Sequence, residues 1–337
     1  MNAFGRIFRV SVFGASHGPG IGVIMDGVPP GLPVKAADFL PDLERRKGGL
    51  QKGTTPRKED DYPLLQSGIF RDHTTGAPLG IFFENKNIRP EDYEKQRSIP
   101  RPGHVDFVAH QKYRGYEDYR GGGHFSARVT VGIVAAGVIA RKVLWQQFPE
   151  HRVTITAEVT EAGGYTDIEK GLRQAIKAKD SIGGIIQCKV QHLPAGLGEP
   201  FWDSLESLLA HALFAIPAVK GVDFGAGFQA ARMRGSEHND RILDDSGKTL
   251  TNNAGGIIGG ISNGNEITFR LAVKPASSTP HPQTSWNWDS KQQEDFSLKG
   301  RHDLCVALRA PVIVEAMTAI VLADMALISR SQGAAGQ

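Results

Sequence analysis

Thr154-Ile155-Thr156-Ala157-Glu158-Val159 alternates polar and apolar side chains, the period-two signature of a strand with one buried face and one wet face. The strand it predicts spans Val153–Val159. Working outward, Gly184–Val190 and Glu266–Val273 read as strands downstream, and Phe8–Phe13, Gly22–Met25 and Leu79–Phe83 upstream. Helical patterns occupy Ala37–Lys47, Ser126–Phe148, Asp203–Ile216 and Pro311–Ser329, the last opening with proline at a first-turn position that needs no N–H. The helices are far apart, with extended segments between them. Tight strand–helix alternation, the mark of a doubly wound sheet, is absent. The expected class is α/β, with antiparallel sheets packed against helices. With no linker and no fixed repeat, residues 1–330 read as one domain and 331–337 as a flexible tail.

The 337 residues include 40% hydrophobic and 22% charged side chains, the composition of a globular chain rather than a disordered one. Glycine is in excess, 40 residues against a usual share of about 7%, and it clusters between apolar runs, which predicts tight turns and backbone close to a ligand. A net charge of +3, from 39 basic and 36 acidic residues, points away from nucleic acid. Cys188 and Cys305 are isolated, giving neither a disulfide framework nor metal-ligand spacing and suggesting a reducing, cytoplasmic setting. The N-terminus lacks a signal-peptide core, and the run Val131–Ala140 is about half a bilayer span, so no membrane role is expected.

Four clusters carry candidate chemistry. In Phe13-Gly14-Ala15-Ser16-His17-Gly18, followed by Gly20, Gly22 and Asp26, a strand enters a glycine-flanked Ser-His pair and leaves as a second strand. Such a turn holds one imidazole at a strand mouth, and it also fits a plain hairpin with an exposed histidine. The spacing matches neither a dinucleotide fingerprint nor a nucleophile elbow. Arg45-Arg46-Lys47, Lys52 and Arg57-Lys58 run through a Gly/Thr loop after a helix, fitting an anion loop or simple helix-end cations. Arg101-Pro102-Gly103-His104-Val105-Asp106 and Tyr119-Arg120-Gly121-Gly122-Gly123-His124-Phe125-Ser126-Ala127-Arg128 place arginines beside a glycine turn that opens a long helix, with Ser126 as its cap. A flexible turn before a capped helix is the plainer account. Asn252–Gly260, Lys274-Pro275-Ala276-Ser277-Ser278-Thr279 and Gly300-Arg301-His302-Asp303 complete the set, and the lysine with its hydroxyls fits a phosphate grip or a surface loop. Three proton carriers, His17, His104 and Asp303, among loops rich in cations imply an enzyme for a small polyanion that needs acid–base work. No metal motif is visible.

Taken together with Pro194–Pro200 and Gly300–Ala316, these segments resemble chorismate synthases in order and spacing, from about residue 4 to residue 329. The resemblance implies a β-α-β sandwich, a homotetramer, and anti 1,4-elimination of phosphate from 5-enolpyruvylshikimate 3-phosphate in aromatic amino acid biosynthesis. It implies reduced FMN as cofactor, with NADPH as reductant in some members. Residue by residue, it gives His17 the departing phosphate, His104 the flavin N1 region, and Asp303 with Ser16 the proton at N5. Arg46, Lys52, Arg101 and Arg128 would clamp substrate. Ser126, Ala218, Gly259, Lys274, Pro275, Ala276, Ser277, Ser278 and Arg301 would hold FMN. The sequence departs from the family pattern at Ala15 and Val129, where glutamates are usual, at His124-Phe125 for arginine-serine, at Pro217 for asparagine, and at Lys52 for arginine. Those departures leave a second reading open, a flavin- or phosphometabolite-binding relative without catalysis.

Overall fold

The computed structural model describes residues 2–49, 53–55, 59–87, 97–297 and 302–333. Two helices form its middle layer. Helix α3 (Thr130–Gln147) buries Val131, Gly132, Val134 through Ala140, Val143 and Leu144, so almost no side of it faces water. The helix Pro311–Ser331 is buried from Val312 to Leu327. A helix that is apolar all round is stable only as a core element. Length and composition would let Pro311–Ser331 cross a membrane, but 83% of its apolar window is buried inside this protein. The two helices cross closely at Gly137, where an added Cβ would lie 2.4 Å from Cβ of Ala316.

A sheet covers each side of this layer. One has five strands in the order Ala3–Phe4, Arg9–Gly14, Gly20–Asp26, Leu79–Glu84 and Leu64–Ser67, every pair antiparallel. The other has four, in the order Val219–Phe224, Ile267–Val273, Gly184–Gln191 and Thr154–Ala162, again antiparallel. Helix α3 packs on the first sheet and Pro311–Ser331 on the second. The result is a β-α-β sandwich with antiparallel sheets, as expected. The opening strand buries alternate residues over Ile155 and Ala162 but not strictly, because a bulge between Val159 and Glu161 shifts its register.

Polar side chains fasten the layers. Asp324, inside the last helix, accepts hydrogen bonds from the backbone N–H groups of Arg6, Ile7 and Phe8 at 2.8–2.9 Å. Glu315 accepts two bonds from Arg45, at 2.6 and 2.8 Å, and a third from the Ala157 N–H at 2.9 Å. Bonds to a buried carboxylate are each worth roughly 1.5–3 kcal/mol, so these two groups weld the last helix to both sheets. Arg45, expected in an anion loop, is spent on this contact.

Further elements lie outside the sandwich. Helix α1 is Leu40–Arg46 and α2 is Asp106–Tyr113, while α4 (Ile168–Ala178) and α5 (Leu205–Phe214) flank the four-stranded sheet. The expected helix Ser126–Phe148 divides: Ser126 caps a short 3-10 turn, Ala127–Val129, by accepting from the Arg128 N–H, and the α-helix starts at Thr130. Helix Pro311–Ser331, hereafter α6, takes in Ser331, the first residue assigned to the tail.

Candidate active site

The loops that leave the sheets and enter α3 and α6 surround one cavity of about 930 Å³. His17, His104 and Asp303, 286 positions apart at their extremes, all line it. So do Arg46, Arg101, Arg128, Ser126, Ala218 and the run Lys274–Ser278.

His17 sits in the turn between strands Arg9–Gly14 and Gly20–Asp26 and is only 5% exposed. Its Nδ1 lies 2.9 Å from Ser16 Oγ, and that hydroxyl lies 3.2 Å from the carbonyls of Arg120 and Gly121. With the hydroxyl proton given to a carbonyl, Ser16 accepts from Nδ1–H, which assigns proton transfer to Nε2. Ser16 is fully buried behind His17 and does not line the cavity, so it works on His17 rather than beside Asp303. Gly121, with φ +59°, makes this possible: a Cβ there would collide with the imidazole.

His104 precedes helix α2. Its Nδ1 lies 2.5 Å from Asp106 Oδ1, and Arg101 holds the same carboxylate with Nε at 2.7 Å and Nη2 at 2.8 Å. Burial resists ionisation of Asp106, but the bonds from Arg101 and His104 outweigh it and keep the carboxyl well below the usual range. Burial lowers the pKa of His104, helped by the positive charges of Arg101 and Lys274 and opposed by Asp106. A neutral ring with Nδ1–H on Asp106 presents basic Nε2 for chemistry. Arg101 also reaches Ser278 Oγ at 3.1 Å, and Lys274 Nζ donates to Gly103 O at 2.5 Å and Ser277 Oγ at 2.9 Å, tying this loop to the 274–278 run.

Asp303 stands on another wall, accepting from the Thr55 N–H at 2.8 Å and from Arg309 at 3.0 and 3.2 Å. Arg309 in turn donates to the carbonyl of Arg46 at 2.9 Å. Arg46 and Arg128 are both buried and share one carboxylate, Asp61, through Arg46 Nη2 at 2.8 Å and a shorter contact from Arg128 Nη1. Burial raises the pKa of Asp61, yet the two guanidinium charges prevail and it is lowered. Among the described residues Arg128 Nη2 is buried without a hydrogen-bond partner, a donor that could meet a ligand anion.

Several residues here gain their role only from the fold. Asp61 and Asp106 are ordinary acids until the fold brings arginines to them. Asn85 donates to the carbonyls of Ala15 and Gly18, both at 2.9 Å, and accepts from Arg128 Nε at 3.1 Å. His302 lines the cavity as a further imidazole, its pKa lowered by burial and then by Arg101, with Asp303 opposing.

Other expectations fare differently. Gly259 lies in the turn between Ile257–Ile258 and Ile261–Ser262 and does not line the cavity. Arg120, expected beside the anion, pairs instead with Asp118 at 2.8 and 2.9 Å and contributes its carbonyl to Ser16. Lys52 and Arg301 lie outside the described residues. At the departures, His124 Nδ1–H donates to Gly14 O at 2.8 Å, so it pins the hairpin that carries His17, and Phe125 packs against Tyr113. Pro217 lines the cavity beside Ala218, whose φ of +74° is rare for a non-glycine residue.

A family model described as chorismate synthase matches residues 8–327. A chorismate synthase from Chitinophaga pinensis is 61% identical over 330 residues, spanning 98% of each chain. The chain belongs to the chorismate synthase family. A chorismate synthase from Pyrococcus abyssi is 41% identical over 354 residues, covering 97% of this chain and 98% of that one. A solved structure titled as the crystal structure of a chorismate synthase superposes with a TM-score of 0.73 at 26% identity, over 98% of this chain and 94% of the other. Chorismate synthases are lyases, and that is the reaction class of this chain.

Proposed function

We propose that this chain converts 5-enolpyruvylshikimate 3-phosphate to chorismate in the shikimate pathway, with reduced FMN bound beside the substrate. One observation carries the reading: two imidazoles and a carboxylate from distant parts of the chain meet in one cavity ringed by cations. The fit to a flavin and a polyanion together rests on the cavity. Its volume is at the upper end of the roughly 300–1,000 Å³ of sites for one drug-sized ligand, and its wall offers a leftover buried guanidinium N–H on Arg128. Ser126, Ala218 and Lys274–Ser278 would hold the flavin.

In the elimination the C3–O bond to phosphate and the C6–H bond break, leaving a conjugated ring and free phosphate. When bound, reduced FMN supplies electron density to the substrate and a place for the departing proton. Arg46, Arg101 and Arg128 suit carboxylate and phosphate groups through paired N–H donors. His17 Nε2 gives a proton or a hydrogen bond to the leaving phosphate oxygen, and Ser16 holds the ring at the required angle. The one proton lost from C6 would pass to Asp303, oriented by Thr55 and Arg309. His104, neutral and fixed by Asp106, would hold the proton balance near the flavin N1 region through Nε2. The buried setting strengthens each of these contacts by excluding water.

The same reading includes a homotetramer in the cytoplasm, with NADPH as a reductant for the flavin. Adjacent Phe201 and Trp202 are 83% and 90% exposed, which supports a partner surface, and both cysteines are buried free thiols, which suits a reducing compartment. The deciding experiment is an anaerobic assay of purified protein with substrate and chemically reduced FMN. Chorismate absorbance is expected. Flavin binding without turnover would overturn the reading in favour of a non-catalytic relative.

A further inference from the structure

Asn85 touches both halves of the site without lining it, at the end of strand Leu79–Glu84. Its amide nitrogen spends both N–H groups on the carbonyls of Ala15 and Gly18, the residues that bracket Ser16-His17. Its amide oxygen accepts from Arg128 Nε. Both the amide's donors and its acceptor are therefore engaged, which also fixes which end is nitrogen. On the far side, Arg128 shares Asp61 with Arg46. A continuous polar chain thus runs from Arg46 through Asp61, Arg128 and Asn85 to the backbone that carries His17.

We propose that Asn85 is a positioning residue that couples the guanidinium of Arg128 to the turn holding His17, so that engagement of an anion by Arg128 sets the imidazole against the leaving phosphate. The inference rests on the proposed function for the roles of Arg128 and His17. Among the described residues, no other side chain bonds the carbonyls of Ala15 or Gly18. The turn is further shaped by the Gly18 N–H bond to Ala15 O at 3.1 Å, the Ser16 N–H bond to Gly123 O at 3.0 Å and the His124 bond to Gly14 O at 2.8 Å. The Asn85 side chain ties this turn to Arg128, so the placement of the turn depends on it.

Asn85→Asp separates the two arms, since it keeps an acceptor for Arg128 and removes both donors to the turn. Its kcat should fall about tenfold or more, the scale of one or two lost hydrogen bonds, while KM for the enolpyruvyl substrate stays within about threefold. Asn85→Ala should lose both arms, lowering kcat and raising KM. In a double-mutant cycle, Asn85→Ala added to His17→Ala should cost no further kcat, because its effect on rate passes through His17. Independent multiplication of the two losses, or wild-type kcat in Asn85→Asp, would overturn the proposal. The C2–H resonance of His17, followed against pH, gives a readout that needs no turnover. Its midpoint should move by roughly 0.3–1 unit in Asn85→Ala, and an unmoved midpoint with a native thermal melt would sink the coupling. If the wild-type protein makes no chorismate, the functional reading fails on that assay, while the resonance still decides the role of Asn85.

Discussion

A Cβ placed on Gly121 would stand 2.4 Å from Cε1 of His17 and 2.8 Å from Oγ of Ser16. The glycine triplet therefore makes room for the imidazole as much as it turns the chain. Gly121→Ala should push His17 out of line and cut kcat by about 10² or more, the usual worth of a placed proton carrier. It should also cost about 1–3 kcal/mol of stability from the strained φ. Turnover and urea unfolding of the variant check both numbers, and wild-type kcat would show that His17 need not sit where it does.

Asp106 gives His104 its orientation and Arg101 its position. Asp106→Asn should therefore lower kcat by roughly 10²–10³ while the fold persists, since an amide no longer fixes the ring with a full negative charge. Substrate KM should rise as well, because Arg101 loses its two-pronged hold. A kinetic comparison with His104→Ala tests the link: if Asp106 acts through His104, the loss in kcat should not exceed that of removing the histidine.

Asp61 neutralises two buried guanidinium groups. Asp61→Asn should destabilise the protein by about 3–5 kcal/mol, the cost of leaving buried charge uncompensated. Because its pKa is lowered on folding, Asp61 stabilises above the unfolded value of 3.8, and that contribution is lost as pH falls through the folded value. The variant should show a flatter acid limb in a plot of stability against pH. An unchanged limb would mean that the contacts of Asp61 do not govern acid unfolding.

His104 and His302 have the opposite chemistry and the same direction. Burial lowers both below 6.5, so the unfolded chain binds their protons more readily. Their contribution is complete above 6.5 and is lost as pH falls from there toward the folded values. Urea midpoints measured between about pH 5 and 8 should rise with pH, and His302→Gln should flatten part of that rise.

How far these features could be read in advance depends on whether their cause is local. The strands at 9–14, 154–162, 184–191 and 267–273 declared themselves through alternation, and that at 20–26 and both central helices through apolar runs, too long in the helices for a strand. Helix α4 was missed although Ile168, Leu172, Ala175 and Ile176 recur at helical spacing, a pattern that the sequence did carry. Strand Val219–Phe224 was hidden by Lys220 and by Asp223, which pairs with Arg270 on the neighbouring strand. In the site, glycine clusters revealed the loops and His17, His104 and Asp303 the proton carriers. Asp61 and Asn85 stayed invisible: their partners are Arg128 and, for Asn85, the residues around His17, contacts that no short pattern encodes.

The carboxylate of Asp324 closes contacts across more than 315 positions of sequence. The hairpin that carries His17 follows directly on residues 6–8, which this carboxylate holds, and α6 also supplies one half of the middle layer. A nascent chain that has left the ribosome as far as Phe296 would hold nearly every catalytic side chain and still lack the helix that its two sheets clasp. Assembly of the working site must therefore wait until residues 311–331 have been made, and such late, long-range closure predicts slow folding and a need for protection against aggregation while α6 is still missing.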